Sequence, residues 1–88
     1  MKFSGASVMT PLKLARARRN WTLAELAANL ATVGEHVDTG NLSRIERGLQ
    51  RSSISLAEHL VVVFADPQLT ELHILYPERF PAEAEALG

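Results

Sequence analysis

Five helix-start signals punctuate this chain, and no segment offers a β-strand a partner, so the fold must be built from short helices packed on one another. Thr10-Pro11 opens the first, with threonine as N-cap and proline at the first helical position, and the helix runs to about Arg19. Asn20-Trp21 breaks it. Thr22-Leu-Ala-Glu25 is a capping box for the second, whose apolar stripe is Leu23, Leu26, Ala27 and Leu30 and whose stop is Gly34. Asp38 or Thr39 caps the third, and Gly48 ends it. After the linker Arg51-Ser-Ser, the box Ser55-Leu-Ala-Glu58 opens the fourth, with Leu56, Leu60, Val63 and Phe64 on one side. Val61-Val62-Val63 has strand propensity, but nothing else in the chain could pair with it. Asp66-Pro67 is read as the cap of the fifth, which carries Leu69, Leu72 and Tyr76 before Pro77 stops it. The expected fold is all-α with five short helices, without internal repeat or low-complexity segment.

At 88 residues the chain fits a single domain, expected over 10–76, with a flexible arm over 1–9 and a tail over 77–88. A hydrophobic share of 47% suffices for a small core and is too high for a disordered chain. With no cysteine, neither disulfides nor thiolate metal sites can supplement that core. The longest apolar run, Leu60 to Ala65, is far short of a membrane span, and the first residues lack the apolar stretch of a signal peptide. The expected location is therefore cytoplasmic, with no membrane contact.

The net charge of −1 conceals an asymmetry. Residues 1–51 hold eight Lys/Arg against four acids, a net of +4; residues 52–88 hold Arg79 alone against six acids, a net of −5. Such a division suits a chain whose first half faces phosphates and whose second half faces away. It also arises by chance in a short chain, and the charges alone do not decide.

On a helical wheel the third helix, about Thr39 to Arg47, separates into two faces. Leu42, Ile45, Glu46 and Leu49 fall on one side; Gly40, Ser43, Arg44 and Arg47 fall on the other. A helix lying in a DNA groove needs this construction, with a back anchored to a core and a slim front carrying forks for guanine edges or phosphates. Asn41 has the amide that pairs with adenine. An ordinary amphipathic surface helix has the same pattern, so the wheel by itself favours that plainer reading.

The order of elements adds to this. A capped helix with Leu-Ala-x-x-Leu, a glycine-containing turn and then Thr39-Gly-Asn-Leu-Ser-Arg-Ile-Glu-Arg-Gly48 resembles the lambda-repressor-like helix-turn-helix family of phage repressors, Cro proteins and xenobiotic-response-element-type regulators. Thr22-Leu-Ala-Glu-Leu-Ala27, the register from Leu12 to Arg16 and the ending Leu72 to Phe80 support the likeness, which covers about residues 11–76. It implies base-edge contacts from Thr39, Gly40 and Asn41, with Arg44 one turn later, and phosphate contacts from Ser43 and Arg47. It also implies that Arg16 and Glu46 pair inside the fold, which suits a lone carboxylate on the inner face of the helix. Two features depart from the family pattern. Leu23 stands where many members have a phosphate-touching glutamine, and about five extra residues around Ala31 to Glu35 imply a longer second helix or a loop.

Other chemistries lack support. His36, His59 and His73 fall in three different segments with no ligand spacing on one helix, so no metal or other cofactor is expected, and packing suits His73 better. No serine sits in a nucleophile elbow and there is no glycine-rich phosphate loop, which argues against an enzyme. Trp21 reads as a core plug between the first two helices. Arg18 and Arg19, with Lys13, form a basic patch that is either a solvated face or a phosphate contact; an arm carrying Lys2 is more simply a tail. The resulting expectation is a transcriptional regulator, a repressor by type, that binds a double-stranded operator as a homodimer. No small-molecule ligand is expected, since 88 residues leave no room for a ligand domain. Ile74, Leu75 and Phe80 exceed what one stripe of the fifth helix can bury, and are the expected dimer contact. An antitoxin, a restriction–modification controller, or a protein-interaction module that lost DNA binding share the same features.

Overall fold

Each helix of the computed structural model starts at a residue whose side chain can accept from the exposed amides of the first turn. The structure describes residues 9–80, so the arm with Lys2 and the tail beyond Phe80 lie outside the described residues. Helix α1 spans Pro11–Arg18, α2 Leu23–Thr32, α3 Thr39–Glu46, α4 Ile54–Phe64 and α5 Glu71–Leu75, followed by a single 3-10 turn at Pro77–Arg79. No strand occurs among the described residues, and Val61 to Val63 are helical. Thr10 caps α1, Thr22 and Glu25 form the reciprocal box of α2, and Asp38, rather than Thr39, caps α3 through the Asn41 amide at 2.7 Å.

Two caps lie away from the positions expected. Ser53 caps α4 through the Leu56 amide, at 3.1 Å. Ser55 is thus already inside the first turn, and its hydroxyl donates to Glu35 instead, at 3.0 Å. The fifth helix does not begin at Asp66-Pro67. Asp66 folds back on itself, its carboxylate accepting from the Gln68 amide and its carbonyl from the Leu69 amide, and α5 starts after Thr70. That delay rotates the inner face, so Leu69, His73 and Ile74 are buried and Leu72 is half exposed, contrary to the stripe of Leu69, Leu72 and Tyr76.

Helices α1, α2 and α3 end alike. Asn20, Gly34 and Gly48 take positive φ, and the amide after each reaches back to a carbonyl five residues earlier: Trp21 to Arg16, Glu35 to Leu30 and Leu49 to Arg44. Glycine adopts that conformation without the steric cost a side chain incurs, which is why Gly34 and Gly48 stop helices. The reversal at Gly48 turns Leu49 outward to 68% exposure, so it leaves the apolar face to which the wheel assigned it.

One core holds these pieces together. Leu12 and Ala15 of α1, Leu26 and Leu30 of α2, Leu42 and Ile45 of α3, and Leu56, Ala57, Leu60 and Phe64 of α4 are buried together, joined by Leu69 and Ile74. Trp21 plugs its edge with its ring 5.1 Å from that of Phe64. No described helix is long and apolar enough to cross a membrane.

Ile74 sits inside this core at 2% exposure, and Leu75 packs partly against it. The Phe80 ring lies 4.1 Å from that of His73. Of the expected dimer contact of Ile74, Leu75 and Phe80, Ile74 is thus committed to the core, and bringing it to a partner would open that core, while Leu75 and Phe80 are only partly buried. His73 itself is packed, with Nδ1 accepting from the Thr70 amide at 3.0 Å.

Candidate nucleic-acid interface

Helix α3 is anchored from behind by Leu42 and Ile45 and by an ion pair at its inner edge. Arg16 donates from Nε and Nη2 to the two oxygens of Glu46, the second bond at 2.8 Å, and from Nη1 to the Trp21 carbonyl at 2.7 Å. Glu46 is 3% exposed. The hydrogen bond to Glu46 is the main reason the Arg16 guanidinium holds its proton more tightly than usual, with burial opposing and charge attraction helping. Thr10, the cap of α1, donates its hydroxyl to the Glu46 carbonyl. The start of α1 and the end of α3 are therefore fixed to one another, which sets how α3 stands on the domain.

The connection before α3 comprises residues 33–38, longer than the three or four residues of a tight helix-turn-helix. The extra length forms a loop after a regular ten-residue α2. A contact absent from the sequence reading fastens it: the Glu35 carboxylate lies 2.6 Å from His59 Nδ1 and accepts from Ser55, both on α4. Glu35 and His59 are too far apart in sequence for spacing to pair them.

The outer face of α3 carries Thr39, Gly40, Arg44 and Arg47 exposed, with Asn41 and Ser43 half-buried. Arg47 folds along its own helix, Nε donating to the Ser43 carbonyl at 3.3 Å. Arg44 lies back toward the start of the helix. Its Nε donates to Gln50 Oε1 at 2.9 Å and its Nη2 to the Asn41 side-chain carbonyl, while the Asn41 amide reaches Asp38 at 3.4 Å. Gly40 lies directly beneath it; a Cβ there would stand 3.7 Å from Arg44 Nη1 and 3.3 Å from the Asp38 carboxylate. Gln50 was not among the residues singled out from the sequence. Its signal is indirect: the reversal at Gly48 carries the chain back beside the last turn of α3.

The basic patch of α1 divides. Arg18 is exposed and has no partner among the described residues. Arg19 is occupied: it donates to the Phe64 carbonyl at the end of α4, and its guanidinium stacks 5.3 Å from the Trp21 ring and 5.7 Å from the Phe64 ring. These contacts close α4, because a cation is stabilised at a helix C-terminus and over aromatic faces, and they occupy the side chain that was expected at DNA.

Among the described residues no group of three or more His, Asp or Glu side chains is placed to hold a metal. The chain matches no family model, no curated protein and no solved structure.

Proposed function

We propose that the protein binds double-stranded DNA sequence-specifically, laying the outer face of α3 in the major groove. The observation that carries this reading is the division of α3 into a dry inner face, locked by Leu42, Ile45 and Glu46, and a slim outer face with two exposed arginines. On this reading Thr39, Gly40 and Asn41, at the leading end, meet base edges with Arg44 one turn later, and Ser43, Arg47 and Arg18 hold phosphates. The likeness of residues 11–76 to lambda-repressor-like helix-turn-helix regulators supports the same role, that of a repressor on an operator.

A single helix reads few base pairs, so the protein works as a homodimer on two half-sites about 34 Å apart. With Ile74 committed to the core, Leu72, Leu75 and Phe80 are what this end of the chain can offer a second copy. Selection from random duplex DNA at low salt tests the reading. Enrichment of a two-fold-symmetric sequence with that spacing is expected, and failure to retain any duplex overturns it. Retention without enrichment overturns the sequence-specific part. A protein-interaction module is the second reading, favoured by the exposed Leu49, Ile54 and Val62, which DNA binding does not use.

A further inference from the structure

The outer face of α3 holds one arginine in place without neutralising it. A guanidinium has five N–H donors arranged on a side edge and an end edge. Arg44 gives its side edge, Nε and Nη2, to two side-chain carbonyls, those of Gln50 and Asn41. Both are neutral amides, so they fix orientation and leave the positive charge whole. The end edge, with Nη1 and the remaining N–H of Nη2, has no acceptor among the described residues. Asp38 acts one step back: it accepts from the Asn41 amide, which polarises the Asn41 carbonyl as an acceptor for Arg44. The bare Gly40 leaves the bed in which Nη1 rests.

From this geometry we infer that Gln50, outside α3, is a positioning residue for base readout: with Asn41 it presents the end edge of Arg44 as a preset fork for a guanine, so that Arg44 is ordered before DNA arrives. The inference rests on the DNA-binding reading. An end-on fork needs two coplanar acceptors side by side, and O6 and N7 of guanine provide them in the major groove. A phosphate can also take the fork, but a phosphate contact carries no base preference, which separates the two in experiment. Holding a long side chain in advance avoids an ordering cost on binding that corresponds to about 2- to 12-fold in affinity per side chain. For a base-reading arginine, that gain falls on the correct base and is absent with the wrong one.

The test compares the parent with Gln50→Ala, Arg44→Ala and Arg44→Lys by selection from random duplex DNA and by binding to the selected site and to an unrelated duplex. Arg44→Ala should abolish the preference for guanine at one position, and Arg44→Lys should lose most of it because an ammonium has no planar fork. Gln50→Ala should lower discrimination at that same position by about 2- to 12-fold and leave unrelated-duplex affinity within about twofold. In the free protein, NMR should show the Arg44 Nε proton protected from exchange, and Gln50→Ala should release it. Loss of affinity by Gln50→Ala on both duplexes equally, or full retention of the guanine preference, overturns the inference. A parent that binds no duplex, yet keeps the protected Nε proton, overturns the DNA-binding reading and its fork while leaving the side-edge contacts standing.

Discussion

Arg16 and Arg44 flank the same helix and spend the same edge of the guanidinium, yet on different partners. On the inner side Arg16 meets a carboxylate with Nε and Nη2 and a backbone carbonyl with Nη1, in a site where Glu46 is almost wholly buried. On the outer side Arg44 meets two amide carbonyls and keeps its charge and its end edge for something else. The first arrangement is closed and serves the fold. The second is open, and its worth is realised only when a ligand supplies the missing acceptors. A charge buried on one partner becomes costly once that partner goes, whereas an exposed charge held by neutral groups leaves the fold largely indifferent to its removal.

The largest expected effect follows from the closed side. Glu46→Ala strands the Arg16 cation against the core and should cost about 3–5 kcal/mol of stability, enough to unfold a domain this small at modest temperature. Replacing both partners by apolar residues, Arg16→Met with Glu46→Leu, should recover most of that loss, since the pair itself is worth little once its desolvation is counted. Thermal melts of the two variants check the claim. A single variant that melts like the parent would place Glu46 in solvent and erase the contrast. Because the Arg16 guanidinium is held above its ordinary pKa, its contribution is complete below the unfolded value and is lost only as pH rises through the folded one. No loss of stability through Arg16 is therefore expected between neutral pH and the strongly alkaline range.

The open side should behave in the opposite sense. Arg44→Ala should leave stability within about 0.5 kcal/mol of the parent but cost about 1–3 kcal/mol of affinity for the preferred sequence. Melting and binding measured on one preparation separate the two, and a variant that unfolds would show that Arg44 belongs to the fold after all.

Arg19 falls between these extremes, exposed yet stacked on Trp21 and Phe64. Arg19→Ala should cost about 1 kcal/mol of stability through the lost bond at the end of α4. DNA affinity is expected to change less for it than for Arg18→Ala, and the reverse order would return Arg19 to the interface.

The smallest and least selective effect belongs to Arg47. Its substitution by alanine should weaken all duplexes alike and lower the salt slope by about one unit, as for a phosphate contact. A sequence-dependent loss would move Arg47 from the backbone to the bases.

The inner side of α3 was legible in part: a single glutamate beside Leu42 and Ile45 demands a partner, but only the resemblance to helix-turn-helix regulators pointed to Arg16, which bonds it. Helix starts were legible where one residue could cap, as at Thr10 and Thr22, and ambiguous where serines crowd, as at Ser53 and Ser55. Asp66-Pro67 misled because an aspartate before proline marks a tight turn as well as a helix start; the true start at Thr70 shifted the inward face of α5 and drew Ile74 into the core. The ties that fix the candidate site, Arg44 with Gln50 and Glu35 with His59, join residues across a turn or between elements. No periodicity encodes them, and only the assembled packing brings them together.

Whether the outer face of α3 meets duplex DNA is tested most directly by a residue-resolved NMR titration of the whole chain with its selected duplex. The largest shifts should cluster on Thr39 to Arg47 and on Gln50, with a second, weaker group at Arg18 on α1. Perturbations confined to the acidic half from α4 onward, or none at a duplex concentration that saturates binding, would contradict it.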